Sequence, residues 1–117
     1  MNPRELTAAI LRRDDLSARQ MVKDAKRLGF SWANAPAPDF SSRGARAVYA
    51  GIVELMADRN GQVPPAWTCD VPASPAPLFL VHATKKSKGL RRDSLSGTPD
   101  PLKKRNVFAL PDYLDVL

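Results

Sequence analysis

From Ser42 to Gly61, the stretch SRGARAVYAGIVELMADRNG carries apolar residues on nearly every side of a helix. Val48, Ile52, Leu55 and Met56 recur at a spacing that puts them on one face, which Ala45 and Tyr49 extend. Ala47, Ala50, Gly51, Val53 and Ala57 make a second face. A helix apolar all round is normally buried, so this pattern predicts a central helix over 42–60. Ser41 or Ser42 supplies its N-cap, and Asn60-Gly61 its stop. Such a helix is about 25 Å long at roughly 1.5 Å per residue. Gly51 weakens it by about 1 kcal/mol relative to alanine, a cost that close packing against Ala47 and Gly51 offsets. Two faces then need cover. The N-terminal helices fit one, and the connector around Trp67 with the C-terminal segment fits the other. A second face left bare is a candidate homodimer interface.

The flanking patterns predict more helix before this element and less after it. Residues 1–29 read as a helix pair. Asn2-Pro3 opens the first helix, whose stripe of Leu6, Ala9 and Ile10 ends in Arg13 before a break at Asp14-Asp15. In the second, Ser17 and Gln20 fit a capping box, with Leu16 and Met21 placed for a hydrophobic staple. Ala18, Met21, Val22, Ala25 and Leu28 share a face, Arg19, Lys23, Lys26 and Arg27 lie mostly opposite, and Gly29 stops the helix. Asp14-Asp15-Leu16 lacks the glycine of a DNA-reading helix-turn-helix, so plain packing is the better reading. Phe30 and Trp32 form an apolar anchor ahead of the stiff loop Asn34–Pro38.

Five prolines between Gly61 and Pro77 exclude a long regular element, and Trp67 pins this wrap (61–77) to the core. The remainder, 78–117, is a basic C-terminal segment. Leu78–Val81 can pair with Asn106–Ala109, Pro101–Arg105 fits one helical turn, and Pro111 opens a last short helix with Leu114 and Leu117 inward. The expected architecture is one mainly α domain over 1–117, small and helical, built around 42–60, with a short two-stranded pairing of 78–81 with 106–109.

Charge adds one feature to that picture. The net charge is +6, and eight cations against two acids between Lys85 and Arg105 account for all of it; the remainder carries ten of each sign. Lys85, Lys86, Lys88, Arg91, Arg92, Lys103, Lys104 and Arg105 are therefore the candidate partner- or phosphate-binding residues. A solvated loop that keeps the protein in solution is the plain alternative. No aromatic residue interrupts this stretch, which weighs against single-stranded nucleic acid and leaves duplex backbone binding open.

Recognisable chemistry is sparse. His82 and Cys69 are single, so neither a zinc site nor an internal disulfide is expected. No glycine-rich loop leads into a helix, and the Asp14/Asp15 and Asp112/Asp115 pairs sit where helix ends favour acids. Catalysis by His82 would need Cys69 or Asp70 brought to it by the fold. Neither an enzyme nor a cofactor is expected. Met1–Asp15 lacks the features of a secretory leader, and no apolar run reaches membrane-spanning length. A cytoplasmic protein without membrane contact is the expectation.

At Arg46–Ala50, Glu54–Arg59, Pro65-Ala-Trp67 and Pro101–Asn106, the chain resembles a group of small uncharacterised bacterial helical proteins, some encoded beside nucleotidyltransferase-type toxins. The resemblance runs from about Ser17 to the C-terminal end. It implies a non-catalytic binding protein, antitoxin-like or regulatory, covering an acidic surface of a protein partner such as a nucleotidyltransferase toxin. Lys103, Lys104 and Arg105 would meet its carboxylates, assisted by Arg91 and Arg92. The alternative is a nucleic-acid-binding protein using the basic 85–105 stretch.

Overall fold

The computed structural model describes residues 1–80 and 97–115. Asn2 caps the first helix, α1 (Pro3–Leu11), its side-chain oxygen accepting from the Arg4 N–H at 2.9 Å. With Pro3 at the first helical position the start is preorganised. Leu6, Ala9 and Ile10 are buried, as their spacing requires.

Helix α2 (Asp15–Leu28) begins three residues ahead of the expected capping box. Asp14, not Ser17, is its cap, accepting from the Ser17 N–H at 3.2 Å. Ser17, first through its side chain and then through this N–H, holds the Asp14 carboxyl below its ordinary pKa. An ionised cap also complements the helix dipole. Moving the start leaves Leu16 inside the first turn and 85 % exposed, so it makes no staple with Met21. The far end matches expectation. Gly29 takes the left-handed conformation at φ +65, and the Phe30 N–H returns to the Ala25 carbonyl at 2.9 Å.

Helix α3 (Arg43–Arg59) is the centre of the molecule. Ser42 caps it through a 3.3 Å bond from the Ala45 N–H. Every residue from Ala47 to Ala57 is buried, including both faces read from the pattern. Helix α1 covers part of this surface. A second part lies under a 3-10 turn at Trp32–Asn34 and another at Ala66–Asp70. The remainder lies under the short helix α4 (Asp100–Lys103). Because the chain covers α3 itself, that helix offers no bare face to a second copy.

Two contacts show how the cover is fitted. A Cβ on Gly51 would stand 2.7 Å from Leu102 Cδ2 and 3.2 Å from the Pro101 carbonyl oxygen, so only glycine lets α4 approach this closely. On the other side, Tyr49 stacks on Trp67 with ring centroids 5.5 Å apart. Tyr49 donates to the Pro36 carbonyl at 2.7 Å, and Trp67 Nε1 to the Ala35 carbonyl at 2.9 Å. These bonds fix the proline-rich wrap and the Asn34–Pro38 loop to one helix. Gln62 closes the same region. Its Oε1 accepts from the backbone of Trp32 and Ala33, and its Nε2 donates to Phe30.

The expected pairing forms as a two-stranded parallel sheet of β1 (Leu78–Phe79) and β2 (Val107–Phe108). Leu78 pairs with Val107 and Phe79 with Phe108, whose rings stack at 5.4 Å. Val81 lies outside the described residues. The last helix expected from Pro111 does not form over 111–115. The chain makes a turn there instead, with Leu114 at φ +57. The Arg59 guanidinium takes the carbonyls of Tyr113 and Pro111, acceptors that a helix would use for itself. Leu117 lies outside the described residues. Among those residues, no helix is long and apolar enough to cross a membrane.

Candidate binding site around Glu54, Lys104 and Arg105

Helix α4 and the turn after it decide where the LKKR run points. The N–H groups of Lys103 and Lys104 return to Pro99 and Asp100, and those of Arg105 and Asn106 to Leu102 and Lys103. Asn106 then reverses the chain at φ +63. Residues three apart share one side of such a coil. Leu102 and Arg105 accordingly face inward, 0 % and 3 % exposed, while Lys103 and Lys104 face outward.

Arg105 therefore departs from the expected partner-facing patch. Its guanidinium is enclosed, with Nη1 donating to the Pro101 carbonyl and Nη2 to the Thr68 carbonyl, both at 2.7 Å. The same nitrogens reach Glu54 at 3.5 and 3.4 Å. Lys104 closes on the other side of that carboxylate, its Nζ 2.9 Å from Oε1 and 2.7 Å from Oε2. The Glu54 and Arg105 side chains are 10 % and 4 % exposed, and that of Lys104 is 54 % exposed. Burial disfavours the Glu54 charge, yet the bonds from Lys104 and Arg105 outweigh it and leave the carboxyl below its ordinary pKa. A buried charge is tolerated when it is paired and hydrogen-bonded.

The cluster thus joins three parts of the chain: α3 through Glu54, the Ala66–Asp70 turn through Thr68, and the C-terminal segment through Lys104 and Arg105. Sequence reasoning missed Glu54 and Thr68. The available signal was a single carboxylate among the apolar positions of a helix buried on all sides. Such a group must find a cation inside the fold.

Lys85, Lys86, Lys88, Arg91, Arg92 and His82 lie outside the described residues. Cys69 is an exposed free thiol. No three His, Cys, Asp or Glu side chains gather as a metal site among the described residues. A half-open cleft of about 210 Å³ lies beside Trp32, Met56 and Arg59, but Arg59 is already held by two backbone carbonyls. Tyr113 OH and Thr7 Oγ1 are buried without a hydrogen-bond partner among the described residues.

No protein family, curated protein or solved structure matches this chain.

Proposed function

We propose that the chain is a non-catalytic binding protein, an antitoxin-like or regulatory partner that lays its basic C-terminal segment on an acidic surface of another protein. The observation that carries this reading is the placement of charge. The whole surplus of +6 falls between Lys85 and Arg105. Within the described fold, Glu54 offsets one unit of that stretch. Of the described cations in the stretch, Lys103 and Lys104 stand at the surface, and fixed charge of one sign steers association with the opposite sign. The similarity to proteins encoded beside nucleotidyltransferase-type toxins suggests such a toxin as the partner. The cytoplasm is the compartment this reading assumes.

Co-expression with the product of the neighbouring gene tests it. The reading expects that product to arrest growth alone and to be neutralised, and co-purified, when this chain is present. A harmless neighbour, or one that stays toxic beside the chain, overturns the antitoxin assignment. The same charge distribution suits a nucleic-acid backbone, the second reading. Affinity for duplex DNA that falls steeply with salt, without any protein complex, would favour it.

A further inference from the structure

We propose that Lys103 and the outer side of Lys104 form the contact point for a carboxylate of an acidic protein segment, with Glu54 and Arg105 as the internal base that positions Lys104. This rests on the reading of the chain as a partner-binding protein and assigns that role to particular residues. Among the described residues the cluster is not electrically balanced, since one carboxylate faces two cations. Arg105 is sealed inside and saturates two carbonyls, so its charge stays in the fold. Lys104 is the exposed member of the pair. It holds Glu54 from the solvent side and sits next to the exposed Lys103. No ion pair of Lys103 occurs among the described residues.

One positive charge in excess at the cluster, with a second beside it, favours an anion at this rim. The grip of Glu54 also restricts the Lys104 side chain before any partner arrives, which reduces the ordering cost of binding. A carboxylate fits better than a deep phosphate cradle, because the two lysines are exposed and the N–H groups of residues 102–106 are taken up by backbone carbonyls of the same turn. The occupant is therefore an acidic stretch of a folded or extended protein chain.

The probe is a fluorescein-labelled oligo-glutamate peptide, followed by anisotropy against the full chain at low and at physiological salt. Binding that weakens with salt is expected. Lys103→Ala and Lys104→Ala should each weaken it about threefold, the range of exposed ion pairs. Lys23→Ala, on the exposed face of α2, should leave it unchanged. Glu54→Gln frees Lys104 from its internal anion; the unit of charge gained at the rim outweighs the preorganisation lost, so binding should tighten about threefold. Should Glu54→Gln fail to fold, the two lysine variants still decide. Unaltered affinity in both overturns the site assignment while leaving acidic-partner binding intact. No oligo-glutamate binding by the wild-type chain at low salt overturns the partner reading along with the site. Tight binding of duplex DNA lost in the lysine variants, with oligo-glutamate ignored, assigns the rim to nucleic acid and overturns the carboxylate proposal.

Discussion

Arg105 and Glu54, fifty-one positions apart, meet in the interior with Nη2 3.4 Å from Oε1. This contact turns a run of three surface-type cations into two roles. Arg105 locks the C-terminal segment onto α3, and its neighbours Lys103 and Lys104 stay at the surface.

Removing Arg105 should damage the fold. Arg105→Ala strips the Thr68 and Pro101 carbonyls of their donor and empties a buried site. Loss of one member of a buried charge pair costs about 3–5 kcal/mol. Urea unfolding followed by circular dichroism should show that loss in the midpoint. A change in unfolding free energy within about 0.5 kcal/mol, typical of surface substitutions, would show that the cluster does not hold the segment.

Acid should act through Glu54. Its folded pKa lies below the ordinary value of 4.5, burial being outweighed by the two cations. The unfolded chain therefore takes up the proton first as pH falls. The stability tied to this carboxylate is complete above the unfolded value and drains away as pH drops through the folded one. Glu54→Gln removes that dependence. Thermal melts between neutral and acidic pH should show a shallower decline for Glu54→Gln than for wild type, from a lower starting point. Parallel curves would contradict the assignment.

The glycine of α3 is a packing residue. Gly51→Ala gains about 1 kcal/mol of helix propensity. Its Cβ would press on Leu102 Cδ2 and on the Pro101 carbonyl, and overpacking costs about 1–3 kcal/mol. The expected net result is destabilisation. Leu102→Ala should cost about 2–5 kcal/mol by leaving a cavity. In the double variant the two losses should be less than additive, because removing the leucine side chain relieves one of the clashes. A stabilised Gly51→Ala would mean that α4 does not sit where the fold places it.

Tyr113 carries a hydroxyl with no partner among the described residues. Burial, and secondarily Asp15, push its pKa up. A raised folded pKa means that its contribution is complete below the unfolded value, near the ordinary 10.0, and is lost as pH climbs toward the folded one. Tyr113→Phe keeps the ring and discards the unsatisfied group, whose burial costs about 1–3 kcal/mol. Neutral or improved stability at pH 7 and a weaker alkaline decline are expected. A clear loss at pH 7 would reveal a hydrogen bond to that hydroxyl.

Much of the fold could be read from local signals, because local chemistry produces it. Asn2, Ser42 and Gly29 end their helices through groups one to four residues away, and the apolar faces of α3 are a matter of spacing. Misreadings arose where two local solutions compete. Asp14 and Ser17 can both cap α2, and only the position of Ala18, Val22 and Ala25 against the core decides for Asp14. Pro111 can open a helix, but Arg59, from the end of α3, takes the carbonyls that helix would need. The candidate site divides in the same way. That the LKKR run carries charge is evident from composition. Which cation turns inward depends on the phase of one turn relative to Leu102 and on a carboxylate on a different helix. Gln62 is invisible for the same reason, since its partners at Phe30, Trp32 and Ala33 lie about thirty positions away.

The division of labour between adjacent cations is best tested by measuring stability and acidic-peptide affinity together on Lys104→Ala and Arg105→Ala. Lys104→Ala should keep its unfolding free energy within about 1 kcal/mol of wild type, as an exposed partner allows, and lose affinity for oligo-glutamate. Arg105→Ala should lose stability. Under conditions where it remains folded, it should lose no more peptide affinity than Lys104→Ala, because it removes the excess charge of the cluster but leaves both exposed lysines in place. Equal stability losses in the two variants, or an affinity that tracks Arg105 and ignores Lys104, would contradict the account.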